Sequence, residues 1–499
     1  MSYESASDRE IKTSRLAEII NPINLPEAGF QSYEEFKNNA TNLRESFLND
    51  ETVNPSLEYT KFKDLSRMDK GILRLFDTVE YVDNHVSNRE YVPFIKSSLE
   101  FRAAEMEFVK VLARLDFAVN EGADGTDVRE LADEARILNE QLYGAPKAEI
   151  VDASLNEFWL NIEGKSLSVS ARKIYDELAK GFTWHDREIV AFPHATSFET
   201  RLPSFHDESL TWAGEYILEK NADIKALICE FWQSKVDEHG EDYVCHPKDI
   251  VEAFEDVLSL LDPESDSGVS IILDPDATAL SWESPLMAVK VGAKRGPIQS
   301  HEVLFEKVLH ELRVHGGRAI NGLKTELPVL GTGLYTETER PDYLTFEEGF
   351  ATTVEEVVSD KEPKWDGLKI AYYVNIALAK NGSDFRSVFE NSWRYQLLMK
   401  LESDVEVTNQ MVKSARATAY SMCVRIFRGT PTNLTEKFGI PPLTFNKDLA
   451  YLEGRVLAMT HIAQLFVNED EEGLDRLFLA KYDPTNPVQD AVVRKVLAK

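Results

Sequence analysis

A chain of 499 residues with 43% hydrophobic content can bury a substantial core, so one large or two ordinary domains are expected. Its formal net charge of −31 disfavours binding to nucleic acid or anionic lipid, since both depend on Lys and Arg to neutralise phosphates. No segment offers the roughly 20 uninterrupted apolar residues of a membrane span, and Met1 to Ser5 lack a basic start or apolar stretch. The scattered Cys229, Cys245 and Cys423 form no CxxC pair, so free thiols and a cytoplasmic protein are expected.

The first third reads as successive helices. Tyr33 to Phe47, Lys70 to Val86 and Glu100 to Val119 carry apolar residues at three- and four-residue spacing. The break at Tyr143, Gly144, Ala145 and Pro146 sets the expected boundary between an N-terminal helical region, 1–145, and a second domain, 146–499. Helical patterns resume at Ser168 to Lys180, Glu208 to Leu218, Ile224 to Val236 and Asp249 to Leu261, with no fixed-period repeat. A loop at Pro263 to Gly268 then precedes a β-branched strand, Val269 to Leu273, and a second strand is expected at Met287 to Val291. Ser300 is placed to cap a new helix, a glycine-rich loop is expected at Gly331 to Gly333, and Glu347 leads into helices that continue to the end. The chain is thus expected to be α+β but mainly α-helical, with a small β-sheet just ahead of the chemistry.

Within the helix after Ser300 the chain reads His310, Glu311, Leu312, Arg313, Val314, His315. Two histidines flanking a carboxylate suit a metal site, but residues five apart are separated by about 140° on a straight α-helix. A single π-type turn removes that offset, because its i to i+5 repeat returns to the same face, and Gly316 and Gly317 fit such a distortion by admitting close backbone approach. A catalytic zinc takes three protein ligands and keeps one position open, so one ligand must come from elsewhere. Glu347 and Glu348 open a later helix, and either can face the first while Gly349 and Ala351 allow close packing. Glu311, beside a ligand but on another azimuth, is placed to activate water. By contrast, His301 and Glu302 have Glu306 where a second histidine would be needed.

At these residues the sequence resembles the HExxxH metallopeptidases that include the microtubule-associated tyrosine carboxypeptidases and the bacterial QEGLA-motif proteins. The QEGLA element corresponds to Glu347, Glu348, Gly349, Phe350 and Ala351, and the resemblance continues through Gly331 to Leu334, Arg425 to Gly429 and Phe445 to Gly454. It implies a zincin-like, gluzincin-like fold with one zinc per chain held by His310, His315 and Glu348, and Glu311 as general base. The implied reaction is hydrolysis of a peptide or protein at its C-terminus. Arg318, Arg425, Arg428, Lys447 and Tyr451 are candidates for a carboxylate clamp or oxyanion donors, with structural ion pairing as the alternative. The strand at Met287 to Val291 is expected beside the cleft, offering its edge to an extended peptide. Leu312, Arg313 and Val314 replace the family's usual small residues, and Tyr335 to Asp342 is inserted, changes that bear on substrate choice. Action on an acidic tubulin tail is not expected of a protein of charge −31. An endopeptidase of the same fold and a non-catalytic zinc-containing binding protein are the competing readings; retention of Glu311 favours an enzyme, because a structural zinc fills all four positions.

Overall fold

The computed structural model describes residues 33–55, 57, 65–86, 88–336, 343–361, 365 and 367–498. Helices α1 (Tyr33–Leu48), α2 (Ser66–His85), α3 (Val92–Glu121), α4 (Gly125–Tyr143), α5 (Ala148–Glu163) and α6 (Val169–Lys180) come first, followed by a hairpin of β1 (Phe182–Trp184) and β2 (Arg187–Ile189). Helices α7 (Glu208–Lys220), α8 (Ala222–His239) and α9 (Pro247–Leu261) lead to strands β3 (Ser270–Asp274), β4 (Leu280–Glu283) and β5 (Ala288–Gly292). Helix α10 (His301–Val308) continues through a π-helix, Leu309–Gly316, into α11 (Gly317–Leu323). The remainder comprises α12 (Val329–Thr332), α13 (Tyr343–Val357), α14 (Gly367–Lys380), α15 (Phe385–Lys400), α16 (Asn409–Ile426), α17 (Leu434–Phe438), α18 (Leu449–Val467), α19 (Glu471–Arg476) and α20 (Pro487–Leu497). The protein is mainly helical with small sheets, and no helix among the described residues is long and apolar enough to cross a membrane.

The largest core runs from Phe47 to Val496, while α3 and α4 share a smaller one with Leu434, Ile440 and Leu443. Side chains from before and after residue 145 meet in both. Helix α4 starts where Asp124 accepts a hydrogen bond from the Thr126 N–H, and α3 ends where Gly122 adopts φ 71°. The turn-rich stretch between them is therefore a cap pair joining two packed helices.

The three-stranded sheet has the order β3-β5-β4, with β5 parallel to β3 and antiparallel to β4. This corrects the expectation for the second strand. It begins at Ala288, because Met287 takes φ 50°, and it lies in the centre of the sheet with no free edge. The edge beside the π-helix belongs to β4, whose Leu280, Ser281, Trp282 and Glu283 alternate apolar and polar over only four residues, too short a run to be singled out as a strand. The segment expected as a glycine-rich loop is also partly helical: α12 ends at Gly333, where φ reaches 117°. Most of the insertion before α13 lies outside the described residues.

Helices α13 and α18 cross with their backbones in contact. A Cβ on Gly349 would fall 1.8 Å from the carbonyl carbon of Gly454, and one on Gly454 would fall 1.8 Å from the carbonyl oxygen of Thr345. The small residue after Glu348 therefore serves a crossing with α18 and not, as expected, with the histidine helix. That crossing sets Tyr451 near Glu348, whose charge raises the pKa of the Tyr451 hydroxyl.

Candidate metal centre

Ser300 caps α10, its hydroxyl accepting the Val303 N–H at 3.4 Å. The chain then passes into the π-helix and out again with ordinary right-handed dihedrals at both joins. Leu309, Leu312 and Val314 are wholly buried, which anchors the widened turn in the core. Its i to i+5 repeat brings His310 and His315 together, with ring centroids 5.3 Å apart, and the ligand atoms of His310, Glu311 and His315 lie within 4.8 Å of one another. Gly316 and Gly317 play a smaller part than expected. Both keep helical dihedrals, and the nearest contacts of an added Cβ would be the side chains of Leu312 and Arg313 at 3.0 and 3.1 Å.

Each imidazole is braced at Nδ1 by a carboxylate from α13. His315 Nδ1 lies 2.7 Å from Glu347 Oε1, a contact buried on both sides. His310 Nδ1 lies 2.8 Å from Glu355 Oε2, an ion-pair contact whose angles fall short of a hydrogen bond. These contacts engage Nδ1 and leave Nε2 of each ring available, the arrangement in which an outer carboxylate fixes the tautomer and orientation of a ligating histidine. Lys481 Nζ donates to Glu347 Oε1 at 2.5 Å, and Arg318 Nη1 approaches Oε2 at 3.4 Å. Burial opposes the Glu347 charge, but Lys481, His315 and Arg318 outweigh it and hold the pKa at about 2. Burial likewise opposes charging His310, yet Glu355 and Glu311 raise its pKa.

Glu311 is 8% exposed, and its Oε2 accepts the backbone N–H of Trp282 at 2.7 Å, which ties it to the free edge of β4. Burial is the main cause of its raised pKa, and the charge of Glu348 adds to it. Glu348 is half-buried on α13, outside the 4.8 Å group, and its charge acts on Glu311, Tyr451 and Lys481. The carboxylate expected as third ligand therefore lies within electrostatic range of Glu311 but is not brought into the close group with the two histidines. Two imidazole nitrogens with nearby carboxylate oxygens form a donor set that suits zinc.

The expected substrate residues fare differently. Arg318 is wholly buried, its Nε and Nη2 spent on the carbonyls of Ala480 and Tyr482 at 2.5 and 2.8 Å, so it braces Glu347 and does not face the cleft. Arg425 is held bidentately by Asp448 at 2.6 and 2.9 Å and donates to the Tyr451 hydroxyl at 3.0 Å. Arg428 is exposed over the Phe445 ring. Lys447 is exposed at the rim of a cavity of about 90 Å³ walled in part by Phe101, Tyr143 and Tyr335. Arg313 and its neighbours turn to the core, with Arg313 Nε donating to Asn221 and its guanidinium over Phe478.

Sequence reasoning missed Glu355, Lys481 and the backbone of Trp282. Glu355 had a legible signal, since a residue seven after Glu348 returns to nearly the same helical face. Lys481 had none. It sits outside any motif and is carried in by backbone hydrogen bonds between its own amide and carbonyl and Leu330 and Leu334.

Residues 299–491 match the family model described as microtubule-associated tyrosine carboxypeptidase. No curated protein and no solved structure matches the chain.

Proposed function

Because residues 299–491 match the microtubule-associated tyrosine carboxypeptidase family model, we propose that the chain belongs to that family and is a zinc-dependent carboxypeptidase of zincin-like fold. The observation that carries this reading is the π-helix, which gathers the ligand atoms of His310, Glu311 and His315 within 4.8 Å and, among the described residues, leaves Glu311 hydrogen-bonded only to a backbone N–H. Such a buried carboxylate costs free energy that a merely structural site has no reason to spend. His310, His315 and Glu348 would hold the zinc. When bound, zinc supplies Lewis-acid polarisation of the scissile carbonyl and acidifies water. Glu311 takes the proton of the attacking water and delivers it to the leaving amine, a role for which a carboxylate in a low-dielectric site is suited. Glu347 and Glu355 hold the two imidazoles in register. Tyr451, oriented by Arg425, offers a hydroxyl to charge developing on the carbonyl oxygen.

The substrate is an extended peptide pairing with the free edge of β4. The charge of −31 argues against a strongly acidic tail, and the three free cysteines support a cytoplasmic location. Elemental analysis of purified protein tests the metal directly. About one zinc per chain is expected, lost in His310→Ala and in His315→Ala. Full retention of zinc by both variants, or none in the unaltered protein after supplementation, overturns the reading.

A further inference from the structure

A carboxypeptidase needs a cation where its substrate ends, and most cations near this centre are already engaged. Arg318 and Lys481 are buried against Glu347, Lys307 is paired with Glu355, and Arg425 is clamped by Asp448. Arg295 differs. It is half-buried in the turn after β5, where its N–H bonds to the Gly292 carbonyl at 3.2 Å. Among the described residues no side chain or carbonyl accepts a hydrogen bond from its guanidinium, and Nη1 is buried without a partner. A buried unpaired guanidinium nitrogen is costly unless something binding there satisfies it. Burial lowers the Arg295 pKa, while nearby Cys245 and Glu311 act in the opposite sense, which places the guanidinium within electrostatic range of the general base.

The strand geometry gives the direction. The free edge of β4 runs from Leu280 to Glu283, and Glu311 meets it at Trp282. A peptide pairing antiparallel to that edge runs the other way, so its C-terminus emerges at the Leu280 end. There the hydrogen bonds from Gly292 N to Ala279 O at 2.7 Å and from Lys294 N to Ala277 O at 3.1 Å fix the turn that carries Arg295. From Trp282 to Leu280 is about 7 Å at the usual strand rise, roughly the reach from a scissile bond to the carboxylate of a single departing residue.

We propose that Arg295 binds the terminal carboxylate of the substrate, one residue beyond the bond that is cut. This rests on the carboxypeptidase reading, so its test separates binding from hydrolysis. The probes are acetyl-Ala-Ala-Ala-Tyr as the free acid and as the C-terminal amide, titrated by calorimetry into zinc-loaded Glu311→Gln protein. The acid binds at least about 10-fold more tightly than the amide, a margin typical of one charge-assisted hydrogen-bonded pair. Adding Arg295→Met weakens the acid by about 30-fold and leaves the amide and the zinc content unchanged, and Arg295→Lys keeps part of the preference. No preference for the acid while Arg295 is present overturns the proposal, as does a preference that survives Arg295→Met. If the acid is preferred through Arg295 but the unaltered protein never cuts it, the carboxylate site stands and the catalytic reading falls.

Discussion

Replacing Glu347 by Gln is the most informative single change outside the proposed ligands, because it removes one charge from a buried cluster that balances several. Glu347 is 2% exposed and its two oxygens meet His315, Lys481 and Arg318, of which Lys481 is 1% and Arg318 0% exposed. With the carboxylate neutralised, two buried cations face an amide that can accept from only one side, and its NH₂ must point at a cation or at His315. Breaking a buried ion pair by removing one partner costs about 3–5 kcal/mol, and because Gln keeps one acceptor we expect a loss of about 3 kcal/mol. Urea unfolding of the metal-free protein reads that loss. The same change frees His315 Nδ1 from its brace, so zinc affinity, measured by competition with a chelating dye, falls about 10–100-fold. Lys481→Met in the same chain removes the stranded cation and recovers much of the stability but not the affinity. Unchanged stability and unchanged affinity in Glu347→Gln together refute the brace and return Glu347 to the role of an ordinary core residue.

Further outcomes follow from the same geometry. Glu311→Gln keeps zinc and lowers hydrolysis by about 10²–10⁴, read as turnover beside metal content; normal turnover removes Glu311 as the base. Gly349→Ala forces a Cβ into the backbone of Gly454, so we expect a loss of about 3 kcal/mol or more and a clearly lower Tm, whereas a neutral result contradicts the close crossing. His461 is held neutral by burial, its pKa lowered to about 4, so the unfolded chain binds more protons than the folded one between the ordinary histidine value and that point. Stability from this residue is therefore full above about pH 6.5 and declines by about 3 kcal/mol as pH falls toward 4, and His461→Leu flattens that part of a urea-midpoint profile. An identical profile in the variant refutes the assignment.

How much of this was readable beforehand depends on the kind of signal. His310, Glu311 and His315 stand in one short run, and the five-residue spacing itself demanded a π-turn, which is what Leu309–Gly316 forms. The Ser300 cap was equally local. Strand β4 is easily passed over because the apolar and polar alternation of Leu280 to Glu283 spans only four residues and is fixed as a strand by pairing with β5, and Met287 ends the turn before β5 in a left-handed conformation that its side chain gives no reason to expect. Lys481 reaches Glu347 across 134 residues of chain, a distance no pattern in the sequence encodes. The arginines illustrate the same limit. Their presence was plain, but whether a guanidinium is spent on carbonyls, as in Arg318, or keeps a buried nitrogen without a partner among the described residues, as in Arg295, is decided by tertiary packing alone.

The proposed activity is removal of single residues from peptide C-termini with a metal held on the π-helix. Mass spectrometry of a free-acid peptide mixture incubated with the zinc-loaded protein tests it most directly. Products shorter by one C-terminal residue are expected, lost on chelation and restored by added zinc. Cleavage at internal bonds, or trimming that persists in full after chelation, would contradict it.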